Sequence, residues 1–133
     1  MAAENTFHVS VVTPEQPVLD CDARFVAFPS HDGQVGVLAH RAPFLHRMGA
    51  GSLRVESNDG TSRIFFVAGG FAQMVDDRLT LLTEQAIASD ELDKDEAEAA
   101  LADAIAMTAA DEVSQELRQR AIDSARARIR MAG

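Results

Sequence analysis

Leu53-Arg54-Val55-Glu56-Ser57-Asn58-Asp59-Gly60-Thr61-Ser62-Arg63-Ile64-Phe65-Phe66-Val67-Ala68 carries the signature of a β-hairpin. Leu53 and Val55 alternate with Arg54 and Glu56, the period-2 pattern of a strand with one face turned inward. Asn58-Asp59-Gly60 then supplies three residues that tolerate the positive φ of a tight turn. Residues 64–68 return as a second strand.

The same period extends to both sides. Upstream, Phe7, Val9 and Val11 alternate with His8, Ser10 and Val12, and Thr13-Pro14 ends the run. Cys21, Ala23, Phe25 and Ala27 then share one face of a strand, with Asp22, Arg24, Val26 and Phe28 on the other, and Pro29 is expected to stop it. His31-Asp32-Gly33 reads as a turn before a short run over 35–38, and Gly49-Ala50-Gly51 as another tight turn. Downstream, Gly69-Gly70 interrupts the pattern, as a bulge or close backbone contact. Residues 71–75 resume it, and Asp76-Asp77 turns the chain into a strand over 79–82. Six or more short strands on short turns predict an antiparallel β-sandwich or flattened barrel.

The period changes near residues 86–90. Asp93 and Glu96 have capping-box spacing. Ala97, Ala100, Leu101, Ala104, Ile105 and Thr108 then form a narrow, alanine-rich helical stripe. Val113, Leu117, Ala121, Ala125 and Ile129 form a second, with Ile122 beside it. The linker 107–111 holds neither glycine nor proline. Thr108 and Asp111 could cap a second helix, and the same residues could continue one long helix.

Composition narrows the function. With 133 residues and 47% hydrophobic side chains the chain can bury a sizeable core. One cysteine allows no intrachain disulfide. A net charge of −9 argues against nucleic acid and against unaided binding to an anionic membrane. No apolar run approaches the ~20 residues that cross a bilayer, and Met1 to Thr6 shows no secretory signal. Charge in the helical part is polarised: acids dominate from Asp90 to Glu116. Arg118, Arg120, Arg126, Arg128 and Arg130 follow. Acid early and base late suits the helix dipole, and an arginine-rich helix end also suits an acidic partner.

No catalytic constellation emerges. A phosphate loop of the Gly-x-x-x-x-Gly-Lys-Ser/Thr type is missing, as is a Gly-x-Ser-x-Gly elbow. His40 and His46 are the closest histidine pair, without a third ligand at a recognisable metal spacing. Asp20 and Asp22 share a strand face and read as a solvated edge rather than an acid–base pair. No catalytic residue, metal site or cofactor is expected.

Several segments carry a resemblance. They are Val12-Thr13-Pro14-Glu15, Asp32-Gly33-Gln34-Val35-Gly36-Val37-Leu38, Ala42-Pro43-Phe44-Leu45, Gly51-Ser52-Leu53-Arg54-Val55, Gly69-Gly70-Phe71 and Leu79-Thr80-Leu81-Leu82. In this order, ahead of an alanine-rich helical tail, they resemble the epsilon subunit of F-type ATP synthases. The resemblance covers essentially the whole chain. It implies an α+β fold with segregated parts: an N-terminal antiparallel β-sandwich over residues 1–87 and a C-terminal two-helix hairpin over 88–133.

The resemblance further implies a non-catalytic rotor subunit at the cytoplasmic face of the bacterial membrane. Its sandwich would dock on the gamma subunit and on the membrane rotor ring, without direct membrane insertion. Its helices would either lie folded on the sandwich or extend along gamma into the catalytic alpha/beta head, where they restrain hydrolysis. Asp32, Gln34, His40 and Arg41 are the expected ring-facing residues, and the five arginines of the tail the expected regulatory ones. The family's loop usually reads Pro-Asn/Gly-His-Ala-Pro, where this chain has Ala39-His40-Arg41-Ala42-Pro43, and Gln34 stands where an acid is common. Family members that bind ATP carry Ile/Leu-Asp-x-x-Arg-Ala. Here Leu92-Asp93-Lys94-Asp95-Glu96-Ala97 puts Glu96 in the arginine's place, so no tight ATP site is expected. The competing expectation is a free-standing β-sandwich that binds a ligand or peptide under a helical lid.

Overall fold

The computed structural model describes residues 5–132. Residues 1–4, part of the stretch read for a secretory signal, and Gly133 lie outside the described residues. Nine strands come first: β1 (Phe7–Val12), β2 (Pro17–Ser30), β3 (Gly33–Val37), β4 (Phe44–Arg47), β5 (Ala50–Ser57), β6 (Ser62–Ala68), β7 (Phe71–Val75), β8 (Arg78–Leu82) and β9 (Ala86–Ala88). One 3-10 turn (Ser89–Glu91) leads to α1 (Lys94–Ala106) and α2 (Glu112–Ala132).

The strands follow one path, β4-β7-β8-β1-β2-β5-β6-β9, with β3 on β2. β2 joins the two layers of the sandwich. Its first half pairs with β1, and its second half with β3 and β5. A register shift between Ala23 and Phe25 falls at the changeover. An extra residue reverses the inward-outward phase, so Val26 and Phe28 turn into the core while Phe25 and Ala27 face outward. That overturns the expected grouping of Phe25 with Ala23.

Pro29 does not stop β2. It sits buried within the strand, where its missing N–H leaves no donor to satisfy, and its carbonyl accepts the Gly49 N–H at 3.1 Å. Gly49-Ala50-Gly51 is not a turn either. Ala50 and Gly51 begin β5, and a Cβ on Gly51 would stand 3.1 Å from Pro29 Cβ. Gly70 is needed as glycine: its φ is 101°, and a side chain would overlap the Leu82 carbonyl oxygen.

Among the described residues every strand pairing is antiparallel except β1 with β8, which run parallel. Between the layers lie Phe7, Val9, Val11, Val26, Phe28, Leu53, Val55, Val67, Met74, Leu79 and Leu81, all essentially buried. Burial of such side chains, at about 1.5–3 kcal/mol each, is the main force holding the layers together.

The helices form a hairpin, not one long rod. Asp93 caps α1, accepting N–H bonds from Asp95 and Glu96. α1 ends at Ala106, and Met107 is extended. Asp111 Oδ1 accepts the Ser114 N–H at 2.7 Å and opens α2. Thr108 stays exposed in the linker. Arg118 Nη2 donates to the Ile105 carbonyl at 2.9 Å, satisfying one of the unpaired carbonyls at the end of α1.

α2 packs against α1 and against the outer face of β5 and β6. Ile122, Ala125 and Ala127 of α2 and Ala97 and Ala104 of α1 are buried there. The second predicted stripe holds only over its later half. Val113 is 68% exposed and Leu117 54%: the buried positions of α1 are alanines, and Ile105 near its end and Met107 just past it are themselves exposed.

Candidate docking surfaces

The sandwich has two outer faces, and the chain covers one of them itself. Phe66 of β6 points away from the inter-layer core yet is fully buried. The Arg128 guanidinium lies 6.0 Å from its ring centroid, close enough for a cation–π contact. Arg128 Nε is buried without a hydrogen-bond partner.

The other outer face, on β4, β7, β8 and β1, is open. Strand register arranges it in rows: Arg47, Phe71, Leu82 and Val12; then Leu45, Gln73, Thr80 and Ser10; then Val75, Arg78 and His8. Leu45, Phe71, Val75 and Leu82 are all exposed. An apolar groove of about 310 Å³ continues the first row between Pro14, Gly70 and Glu84. At the polar edge His8 lies between two carboxylates, Nε2 2.5 Å from Asp20 Oδ1 and Nδ1 3.2 Å from Asp22 Oδ1. Those acids flank a histidine at this edge, which the sequence could not show because His8 lies on a neighbouring strand.

Asp32, Gln34, His40 and Arg41 come from two segments, one at each end of β3. Asp32 and Gln34 sit at the β2–β3 end. The Asp32 N–H donates to Ser30 Oγ at 3.2 Å, and Gln34 Nε2 to the Ser52 carbonyl at 3.1 Å. His40 and Arg41 come after the far end of β3, past about 15 Å of extended chain. Arg41 Nη1 donates back to the Gly36 carbonyl at 2.7 Å, with the guanidinium 5.2 Å from the Phe44 ring centroid. His40 has a φ of 65°, a left-handed backbone suited to the Asn or Gly of the family pattern. Asp77, in the β7–β8 turn, accepts its N–H at 2.6 Å through Oδ1, and Oδ2 lies 3.0 Å from its Nδ1.

The tail arginines also divide. Arg120, Arg126 and Arg130 are exposed, whereas Arg118 is engaged with Ile105 and Arg128 with Phe66. Asp93 is occupied as the α1 cap, and Glu96 is exposed beside it. Among the described residues no group of three or more His, Cys, Asp or Glu is placed to hold a metal ion, and no helix is long and apolar enough to cross a membrane. Two exposed carboxyls are held below their usual range. Asp59 is lowered first by the Thr61 backbone N–H in the β5–β6 turn, and Asp111 by the Ser114 backbone N–H at the α2 cap.

The geometry thus defines a class: a β-sandwich that covers one outer face with its own helix pair and leaves the other open. The family model for the β-sandwich domain of the ATP synthase delta/epsilon chain matches residues 6–89. The ATP synthase epsilon chain of Rhodopirellula baltica is 44% identical over 120 residues, covering 90% of this chain and 93% of the relative. That of Nitratidesulfovibrio vulgaris is 35% identical over 132 residues, 98% of each. The chain belongs to the ATP synthase epsilon chain family. In fold it also resembles a chain in the cryo-EM structure of the Euglena gracilis mitochondrial ATP synthase, OSCP/F1/c-ring. That match has a TM-score of 0.78, 22% identity, and covers 92% of this chain and 78% of the other. A chain in the Tetrahymena thermophila mitochondrial ATP synthase central stalk/c-ring structure matches with a TM-score of 0.74, 14% identity, and coverage of 95% and 96%.

Proposed function

We propose that this chain is a non-catalytic central-stalk subunit of an F-type ATP synthase, coupling ion-driven rotation of the ring to ATP synthesis. The observation that carries this is the open outer face. Leu45, Phe71, Val75 and Leu82 stay exposed on a sandwich whose opposite face is partly covered by α2. An apolar surface of this kind on a folded domain marks a protein partner. Its occupant is the gamma subunit, and residues 1–87 form the docking unit. His40 borders the open face through Asp77 in the β7–β8 turn, and Arg41 follows it directly in the chain, so both are assigned to the same interface. Asp32 and Gln34, exposed at the other end of β3, are left to meet the polar loops of the rotor ring. The complex holds the chain peripherally at the cytoplasmic face of the bacterial membrane.

Residues 88–133 form the regulatory unit. The α2 interface is built largely from alanine, so the docked hairpin and a released one lie within a few kcal/mol of each other. Released, α2 would present Arg120, Arg126 and Arg130, together with Arg118 and Arg128, to an acidic surface of the alpha/beta head and restrain hydrolysis.

The test is co-purification with a gamma subunit, followed by ATPase assays of the complex with the chain cut after Ala88, because β9 is part of the sandwich. Co-purification with faster hydrolysis after the cut supports both halves of the proposal. Co-purification without that increase leaves a coupling subunit and removes the inhibitory tail. Failure to co-purify refutes the stalk assignment in favour of a free-standing binding module.

A further inference from the structure

We propose that Asp77 is a positioning residue that holds the connection between β3 and β4 in the shape required for docking; this rests on the stalk assignment above. His40 is the turning point of that connection. Its φ of 65° is one that residues with a Cβ rarely adopt, and an exposed histidine gains nothing from burial that would hold it there. The Asp77 carboxylate meets it twice, through the backbone N–H at 2.6 Å and the ring Nδ1 at 3.0 Å. Charge-assisted bonds to one carboxylate from both backbone and ring fix the peptide orientation as well as the side chain.

Asp77 is itself anchored. It and Asp76 have φ values of 57° and 50°, the two left-handed positions of a tight hairpin turn. The Asp77 carbonyl accepts the His8 N–H at 2.9 Å, tying the turn to β1. The carboxylate therefore transmits the position of three strands of the open face, β1, β7 and β8, to a connection 37 residues away in sequence. Arg41 and the exposed Leu38 flank the fixed residue, so the contact sets where both meet the partner. Losing the carboxylate removes both of its bonds to His40, a residue in a strained φ, which favours a shift of His40 toward negative φ and of the connection away from the edge of the open face.

The substitution Asp77→Gly removes the carboxylate while keeping a residue that favours the left-handed turn, so the hairpin itself is preserved. The chain is titrated into epsilon-depleted F1 complex and the dissociation constant measured. Asp77→Gly is expected to weaken binding about tenfold, with amide exchange at residues 39–42 accelerating by a similar factor. The double variant Asp77→Gly/His40→Gly is expected to recover most of the loss, because glycine adopts φ 65° without help. Unchanged affinity for Asp77→Gly overturns the proposal. So does a loss that His40→Gly fails to repair, since it would place Asp77 in direct contact with the partner. If the unaltered chain does not bind the depleted complex, the stalk assignment fails instead. Asp77→Asn, which keeps an acceptor for the His40 N–H, should fall between the unaltered chain and Asp77→Gly.

Discussion

Replacing Phe66 by alanine removes a large aromatic side chain that lies between the sandwich and its helical cover. Phe66 is fully buried although it faces away from the inter-layer core, so its burial exists only while α2 is docked. Phe66→Ala forfeits the transfer free energy of that ring, about 1.5–3 kcal/mol, and the Arg128 contact, about 0.5–1 kcal/mol. A loss of about 2–4 kcal/mol shifts the docking equilibrium roughly 30- to 900-fold toward the released hairpin. Hydrogen exchange on the isolated protein separates this from ordinary core damage. Amides of the later half of α2 should lose protection by that factor, while those of β1 and β8 keep theirs. In the assembled enzyme the same substitution should lower ATP hydrolysis, because more of the tail is available to the head. Unaltered protection in α2 refutes the reasoning. Equal loss in α2, β1 and β8 also refutes it, by making Phe66 part of the sandwich core.

Gly70→Ala combines an unfavourable φ of 101° with overlap at the Leu82 carbonyl, so thermal unfolding should show a loss of at least about 3 kcal/mol and a Tm more than 10 °C lower. Asp93→Ala removes the α1 cap, about 1 kcal/mol; circular dichroism should show reduced helicity and NMR faster exchange at residues 95 and 96, with the sandwich unaffected. Asp111 is expected to make the start of α2 sensitive to acid. Its folded carboxyl is held low by the Ser114 backbone N–H, so the cap contributes fully above the unfolded value and is lost as pH falls below about 4 through the folded one. An NMR titration should show Ser114 reporting that midpoint, and Asp111→Asn should abolish the dependence while keeping the cap.

The parts legible in the sequence are those set by local rules. The Asn58-Asp59-Gly60 hairpin, the Asp76-Asp77 turn, the Asp93 cap and the switch from period 2 to helix each depend on a few adjacent residues. What was misjudged depends on distant ones. Phe25 changes face because a bulge is needed where β2 passes from β1 to β5, and nothing within its own run shows that. β4 has only four residues, with His46 among them, and gains its identity by pairing with β7. Val113 and Leu117 continue a valid helical stripe, but the surface opposite them is missing. At the docking surfaces, the divided placement of Asp32 and Gln34 against His40 and Arg41 follows from where β3 ends. The Asp77 bond to His40 leaves only one local trace, a histidine where the family pattern has Asn or Gly.

The parallel pairing of β1 with β8 has a consequence for how the chain is made. His8 opposes Arg78 and Val12 opposes Leu82, so one edge of β1 waits for a strand about 70 residues later. A growing chain can form the β1–β2 and β5–β6 hairpins early. The layers cannot close until β8 has left the ribosome, and closure across so long a loop is slow. Until then the apolar faces of β1 and β2 and an unpaired backbone edge are open to other nascent chains. Substitutions that weaken β8 should therefore reduce the yield of soluble protein more than their effect on the finished fold would suggest.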